Sequence, residues 1–239
     1  MLDFASVNVK GTEQEKCDAM AIAEETYCTC FAVADGKTAS DTADFIIDNI
    51  VKDFKAQSDI TTATIPDFLE SVQEKLITNQ EKGELSAGGC SMAVFLSNGK
   101  LAVWAHIGDC RVYHLKEKLL YEITPDHSDA YNRYEAGDIR YPKIRTDRTR
   151  HNVLHQLGKE QDFKPTYSSP AMVKEEDSFL ICTDGFWENI HERQVEKTLK
   201  RAKSAQDWLD KMTKIVEKNR VRKKYTSKKD DYSAITIKV

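Results

Sequence analysis

The chain has 239 residues, a formal net charge of −4 and a pI near 5.9. Without an overall positive charge, general nucleic-acid binding is not expected. No stretch reaches the roughly 18 apolar residues of a membrane span, and the first five residues lack the basic start of a secretion signal. We therefore expect residues 1–239 to form one soluble, cytoplasmic domain without a membrane contact, since this length supports an ample core.

Cysteine usage agrees with a reducing compartment. The six cysteines are scattered, and none forms the C-x-x-C pair of structural zinc or redox sites. Cys28 and Cys30 are two residues apart, so they share one face of a predicted strand. This spacing predicts burial as small apolar side chains rather than metal binding.

Strand-length apolar runs come first along the chain and recur after each helical segment. The runs cover residues 30–34, 90–96, 101–107, 111–115, 119–123, 179–182 and 234–239. Turn-forming residues at 97–100 and 116–118 join the middle four runs, so we predict an antiparallel meander there.

Helical periodicity predicts two pairs of helices. Apolar residues recur every three or four positions in residues 40–56, which places Asp41 on the solvent side. The same spacing predicts helices at residues 66–81, 192–200 and 204–217. Strands before, between and after the helix pairs indicate an α+β fold.

An irregular stretch separates the meander from the later strand. Residues 126–149 are rich in Tyr, Arg and Asp and show no sustained period. They predict a long loop or a short-helix lid over about residues 126–150, and loops of this length usually serve function. The arginines of this stretch either contribute to substrate choice or are solvated surface side chains.

Acidic residues stand at the ends of four strand runs. They are Asp35, Asp109, Asp184 and Asp230. Strands are stiff supports, so acids at their ends can converge on one metal site. Oxygen ligands suit Mg²⁺ or Mn²⁺. Histidines are not expected to join them, because ligand spacing is missing at His106, His127, His151 and His155.

Seven ordered segments resemble motifs of the metal-dependent protein phosphatase family, the protein phosphatase 2C-like enzymes. They are Asp35-Gly36, residues 89–93, Ile107-Gly108-Asp109-Cys110-Arg111, residues 123–127, residues 153–158, Thr183-Asp184-Gly185-Phe186-Trp187-Glu188 and residues 230–235. One motif alone is weak, whereas the ordered set over nearly the whole chain is specific. The resemblance implies a central sandwich of two antiparallel β-sheets flanked by helix pairs, an α/β/β/α fold.

The resemblance also implies a centre with two Mn²⁺ or Mg²⁺ ions. Asp35 would bridge the ions and the Gly36 carbonyl would bind the first. Asp184 and Asp230 would bind the second, and Asp109 with Asp184 would supply a weaker third site. Asp18 matches the family's acid that orients the metal-bound water. Such a centre hydrolyses phosphoserine and phosphothreonine with a metal-activated water.

The chain departs from the family pattern at three positions. Glu13 stands where the family has an arginine that holds the substrate phosphate, and Cys17 replaces its acidic or amide neighbour. Unless the segment is displaced or a nearby lysine substitutes, the phosphate clamp is missing. Lys37 stands where many relatives carry a histidine proposed as general acid. It is either a catalytic or phosphate-binding side chain or a solvated lysine before a helix.

Three functions remain open from the sequence. The first is a serine/threonine protein phosphatase that acts as a monomer on phosphoproteins and opposes a kinase. The second is a pseudophosphatase that binds or senses a partner, which the missing arginine favours. The third is a phosphatase of small molecules or nucleotides. The basic run over residues 218–229 is either a solvated helix end or a basic rim that attracts phosphopeptides. From its position between strand runs, Arg111 is predicted to form a structural ion pair.

Overall fold

The computed structural model describes residues 2–12, 17–37, 40–56, 64–222 and 230–239. The strands are β1 (Asp3–Val9), β2 (Asp18–Glu25), β3 (Cys28–Gly36), β4 (Cys90–Ser97), β5 (Leu101–Ile107), β6 (Arg111–Lys116), β7 (Leu119–Ile123), β8 (Thr166–Tyr167), β9 (Ala171–Met172), β10 (Ser178–Cys182) and β11 (Tyr232–Lys238). The helices are α1 (Ser40–Lys55), α2 (Thr64–Glu81), α3 (Asp129–Glu135), α4 (Asp184–Trp187), α5 (Glu192–Leu199) and α6 (Ala205–Val221), with a 3-10 turn at Tyr141–Thr146.

Two antiparallel sheets form the centre of the fold. One has the strand order β1-β11-β10-β6-β7 and the other β2-β3-β4-β5-β8, with β9 beside β5. Their inner faces meet in an apolar layer, where the rings of Phe95 and Phe179 lie 4.6 Å apart. The helices α1 and α2 cover the second sheet, and α5 and α6 cover the first. The predicted sandwich flanked by helix pairs is confirmed.

The predicted four-strand meander is wrong. The strands β4 and β5 pair in one sheet, whereas β6 and β7 pair in the other. The chain changes sheet at the turn after β5, where Gly108 has φ +87. A Cβ on Gly108 would lie 2.9 Å from the Ser91 Cα, so only glycine fits this turn. The strand β6 therefore pairs with β10 instead of β5.

The helix predictions are confirmed within a few residues. The apolar stripe of α6 is buried at Trp208, Leu209 and Met212, and the Ser204 hydroxyl caps that helix by accepting from the Asp207 N–H. Asp41 departs from its predicted solvent position. Its carboxylate accepts hydrogen bonds from the backbone and hydroxyl of Ser86, which ties α1 to the segment before β4.

The lid, residues 126–150, consists of α3 and the 3-10 turn, as the short-helix alternative predicted. One of its arginines turns inward. Arg145 is buried and donates to the carbonyls of Trp187 and Ile190, and Arg133 pairs with Asp147. The Arg145 contacts brace the lid against the segment around residues 187–190, whereas the Arg133–Asp147 pair lies within the lid.

The predictions for the basic run and for the cysteines have different outcomes. Of the basic run, residues 223–229 lie outside the described residues, and Arg220 is buried under the Tyr232 ring instead of solvated. The prediction of buried cysteines is confirmed for Cys30, whereas Cys28 is only half-buried. Among the described helices, none is long and apolar enough to cross a lipid bilayer.

Candidate metal centre

Strand register brings three of the predicted acids together on one sheet. Asp18 on β2 lies directly opposite Asp35 on β3, and Asp35 lies opposite Ser91 on β4. Directly opposite residues of antiparallel strands have neighbouring side chains. The Ser91 hydroxyl then donates to Asp109 Oδ1 at 2.7 Å, which draws the turn after β5 toward the same end of the sheet.

The other sheet contributes acids from two strand ends. Asp184 begins α4 directly after β10, and Asp230 precedes β11. Thr183 joins these ends to the first group: its hydroxyl donates to Asp18 Oδ2 at 2.7 Å and accepts from the Ser233 N–H at 2.9 Å. One buried hydroxyl thus holds an acid of one sheet against the strand ends of the other.

The electrostatics show that these acids are mutually close. Burial raises the pKa of Asp35 well above its usual value, and the charges of Asp18, Asp109 and Asp230 raise it further. Burial also raises the pKa of Asp184, with Asp35 and Asp109 adding to the shift. For Asp18, burial raises the pKa to about 7 even though the Thr183 hydrogen bond opposes the shift.

The chemistry of this donor set fits a hard divalent cation. Carboxylates that are buried side by side favour their charged form only when a cation compensates them. A Mg²⁺ or Mn²⁺ ion prefers such oxygen ligands. The described residues at this end of the sandwich therefore suit the metal centre that the sequence predicts.

Lys37 lies at the rim of the acid group. Its side chain is exposed, and its charge lowers the pKa of Asp109, although burial of Asp109 has the larger, raising effect. Its backbone N–H donates to the Gly89 carbonyl at 3.2 Å, which fixes the chain direction after β3. The lysine is thus close enough to Asp109 for its charge to reach the predicted centre.

The connection between β1 and β2 is held by Asp231. Its two carboxylate oxygens accept from the backbone N–H groups of Gly11, at 2.5 Å, and Cys17, at 2.6 Å. The Cys17 carbonyl in turn accepts from the N–H of the buried Gly36 at 3.0 Å. Glu13 lies outside the described residues, so the missing phosphate clamp stays a prediction. What the structure adds is the anchor that fixes both ends of that connection.

Arg111 has the structural role that its position predicted. Its guanidinium makes two hydrogen bonds of 2.6 Å to the Asp126 carboxylate, and both side chains are buried. It also lies 3.4 Å from the centre of the Trp187 ring, whose indole N–H donates to the Asp109 carbonyl at 2.8 Å. This ion pair therefore supports the backbone of a predicted metal ligand.

The rings of three histidines contact one another beside the Gly108 turn without joining the acids. The His106 and His127 rings lie 4.6 Å apart, and His155 lies 5.1 Å from His127. Burial lowers the pKa of His106 to about 4 and that of His127 to about 3. Both rings are therefore neutral at pH 7 and serve as packed polar side chains.

Two residues near the centre were not predicted from the sequence. Glu188 and His151 each place a ligand atom within 4.8 Å of the other and of an Asp184 oxygen. The signal for Glu188 was present, since it follows Asp184 by four residues and so shares a helical face with it. His151 follows the lid directly, and only the folded position of the lid brings it to Asp184.

The sandwich fold, the ordered motifs and the clustered carboxylates agree with the family that the sequence resembles. A sequence model described as protein phosphatase 2C matches residues 11–227, and the chain belongs to this family. Among solved structures, the serine/threonine phosphatase Stp1 from Staphylococcus aureus has a TM-score of 0.87 at 20% identity, covering 100% of this chain and 95% of that one. The catalytic domain of the serine/threonine protein phosphatase PstP in complex with two manganese ions has a TM-score of 0.82 at 16% identity, covering 99% and 97%. These structural similarities establish the fold.

The curated relatives match this chain over only part of their length. The serine/threonine phosphatase Stp of Listeria monocytogenes is 24% identical over 139 residues, 58% of this chain and 54% of the relative. The protein phosphatase PhpP of Streptococcus pneumoniae is 20% identical over 128 residues, 54% of this chain and 52% of the relative. The matched segments therefore span about half the length of these relatives.

Proposed function

We propose that this protein is a Mg²⁺- or Mn²⁺-dependent phosphatase that releases phosphate from phosphoserine and phosphothreonine in proteins. The observation that carries the proposal is the convergence of acids from both sheets, with the pKa of Asp35 and Asp184 raised by burial and by neighbouring carboxylates. Such a group favours divalent cations. The family and the serine/threonine phosphatases that the chain resembles support the reaction and the substrate class.

The proposed ligands follow from their places at the strand ends. Asp35 would hold both ions, with the Gly36 carbonyl beside it at the end of β3 as a further ligand for the first. Asp184 and Asp230, from the opposite sheet, would hold the second ion, and Asp109 with Asp184 would provide a weaker third position. When bound, the ions supply an activated water and offset charge on the phosphoryl group.

Asp18 and Lys37 have the proposed roles closest to the reaction. Asp18 is fixed by the Thr183 hydroxyl and lies opposite Asp35, so it is placed to accept a proton from water and to orient it. Burial raises the pKa of Asp18 to about 7 without metal, and bound cations would lower it toward the ionised form that accepts a proton. Lys37, exposed at the rim, is placed to contact the phosphate or to protonate the leaving oxygen.

The proposal also covers the substrates, the oligomeric state and the cellular compartment of the enzyme. Its substrates are phosphoproteins, which implies a serine/threonine kinase with the opposite activity, and it acts as a monomer. The six free cysteines support a reducing cytoplasm.

The experiment that tests this function is release of phosphate from a phosphothreonine peptide with and without Mn²⁺. We expect Mn²⁺-dependent turnover in the wild type and a loss of about three orders of magnitude or more in Asp35→Asn, because that variant removes the bridging charge. Asp48→Asn is the matched control, since Asp48 is exposed on α1. Asp41 does not serve, because it is bonded to Ser86.

One result would overturn the proposal. If purified wild type binds Mn²⁺ but releases no phosphate from peptide or aryl phosphate, the protein is a binding module that keeps the family fold. Activity on a nucleotide or another small phosphate ester, with none on phosphopeptides, would keep the metal centre and change the substrate class.

A further inference from the structure

A basic pocket lies between α5 and α6, in the helical layer that covers the first sheet. Its volume is about 330 Å³, and its lining residues are Gln194, Lys197, Thr198, Arg201, Lys211 and Ile215. None of them belongs to the acid group or to the lid. We propose that this pocket binds a phosphoryl group, as inorganic phosphate or as a phosphate monoester, at a site separate from the proposed metal centre.

The pocket lies in a basic part of an acidic chain. Residues 193–214 hold seven basic and three acidic side chains, a local charge of +4, whereas the whole chain carries −4. A cleft lined by charges of one sign raises the local concentration of counter-ions. Lys197 and Arg201 are exposed, and neither side chain has an ion pair or a hydrogen bond with another described residue. Their charges are therefore available to an anion.

The charges at the pocket match those of a phosphate dianion. Lys197 and Arg201 contribute two positive charges, and Lys211 contributes a third, which its ion pair with Asp207 offsets. A phosphate monoester carries about −1.5 to −2 charges near neutral pH and has three strong acceptor oxygens. A guanidinium donates two parallel hydrogen bonds to such oxygens, and ammonium groups supply further donors.

The walls of the pocket are held in place by contacts within the two helices. Trp208 Nε1 donates to the Val195 carbonyl at 3.3 Å, which holds α6 against α5. The buried Thr198 hydroxyl donates to the backbone of α5, and Gln194 Oε1 accepts from the His191 N–H at 3.0 Å. The amide nitrogen of Gln194 makes no hydrogen bond to another described residue, so it provides one more donor for an anion.

Two simpler explanations account for only part of this arrangement. Cations near the end of α5 are favoured by the helix dipole, which explains Lys197 in the last turn. The ion pair with Asp207 explains Lys211. Neither explains why Arg201, which follows the helix, lines the same cavity as both lysines. An anionic ligand shared by the three cations explains all of them.

The test is binding of inorganic phosphate to the full chain loaded with Mg²⁺, measured by equilibrium dialysis at constant ionic strength. We expect the double variant Lys197→Gln/Arg201→Gln to bind one phosphate per chain at least about tenfold more weakly than the wild type, because two charged donors are lost. The control is Lys200→Gln/Lys214→Gln, which removes the same charge at exposed residues outside the lining. It should match the wild type.

Methyl NMR locates the bound anion and separates two sources of the phosphoryl group. The δ1 methyl signal of Ile215, which lines the pocket, should shift when phosphate is added to the wild type. A peptide with a non-hydrolysable phosphonate in place of phosphoserine is titrated in parallel. If the peptide shifts this signal at a lower concentration than phosphate does, the ligand is a phosphorylated protein. If phosphate is equally or more effective, the ligand is a free phosphate compound.

Two results would overturn the inference. One is equal phosphate affinity of the two double variants, which would show that the local charge alone attracts phosphate. The other is an Ile215 signal that stays unchanged at saturating phosphate and peptide. Because neither probe is hydrolysed, a loss of the proposed phosphatase activity cannot produce either result.

Discussion

At the scale of single residues, Lys37 has two possible roles, as a catalytic cation or as a solvated surface lysine. Its charge reaches Asp109, yet its side chain is exposed and its place in the sequence fits either role. We predict that Lys37→Ala lowers kcat for an aryl phosphate by about a hundredfold, the lower end of the usual range for acid–base groups. Mn²⁺ affinity should stay equal or rise slightly, because a cation near the acids has been removed.

The measurement for Lys37 is steady-state kinetics beside Mn²⁺ titration. Lys100→Ala provides a control at an exposed lysine in the turn between β4 and β5. If Lys37→Ala keeps the wild-type kcat, Lys37 is a solvated surface lysine without a catalytic role.

Asp231 shows how a residue can act on the site through the backbone. Its carboxylate accepts from the N–H groups of Gly11 and Cys17 and so fixes both ends of the connection that carries position 13. Hydrogen bonds to charged groups contribute about 1.5–3 kcal/mol each. We predict that Asp231→Ala lowers the free energy of unfolding by about 2–4 kcal/mol and raises KM more than it lowers kcat.

Asp231→Asn keeps one acceptor and should recover part of both effects. Urea unfolding and steady-state kinetics supply the two measurements. A fully wild-type KM in a folded Asp231→Ala protein would show that this connection does not position the substrate.

From the strand pattern alone, without the family resemblance, the candidate site could be predicted only where a strand end carries an acid. Asp35, Asp109, Asp184 and Asp230 each follow or precede an apolar run, and that pattern is visible without a fold. His151 could not be found in this way, because its approach to Glu188 depends on how Arg150 and the lid pack against α4. Contacts between segments that lack periodicity leave little signal in a single sequence.

At the scale of elements, the lid is braced by a buried arginine. Arg145 has a side chain only 2% exposed, and it pairs with Glu192 at 2.7 Å besides bonding two carbonyls. Removing one partner of a buried ion pair commonly costs about 3–5 kcal/mol. Because Glu192 is partly exposed, we predict that Arg145→Met costs about 3 kcal/mol, near the lower end of that range.

Urea unfolding measures this cost, and proteolysis should cut first within residues 126–150 of the variant. Arg148→Ala in the same lid should change stability by less than about 0.5 kcal/mol. Equal stability of Arg145→Met and wild type would mean that the lid is held by its apolar contacts instead.

The sequence predicted the helices correctly, because one face of each helix is buried and apolar. It did not predict which strands pair with which. The apolar stripes of α1, α2 and α6 fixed those helices within a few residues. The strands β4 to β7 were also found, but hairpin turns alone do not say which sheet a hairpin joins. The buried Gly108 turn, packed on Ser91, carries the chain from one sheet to the other, and this packing has no periodic signature.

At the scale of the whole molecule, buried acids link metal binding to pH. The pKa of Asp18 and of Glu188 is raised to about 7, chiefly by burial, and the pKa values of Asp35 and Asp184 are raised as well. Between the ordinary carboxyl values near 4 and about pH 7, the folded metal-free chain binds more protons at these groups than the unfolded chain. Their contribution to stability therefore falls as the pH rises through this window.

The buried histidines have the opposite effect in part of that range. Burial lowers the pKa of His106 to about 4 and that of His127 to about 3, so their contribution to stability rises with pH up to the ordinary histidine value near 6.5. These rings stay outside the acid group. Their effect therefore cancels when metal-bound and metal-free protein are compared at the same pH.

We predict that the rise in Tm caused by a fixed Mn²⁺ concentration grows from pH 6 to pH 8. Mn²⁺ must displace protons from the raised carboxyls at pH 6, whereas fewer protons remain on them at pH 8. Thermal unfolding with and without Mn²⁺ measures the difference, and Asp35→Asn should reduce it at both pH values while Asp48→Asn should not. A Tm rise that is equal or larger at pH 6 would show that the metal binds elsewhere than at these acids, because only their protonation opposes binding at the lower pH.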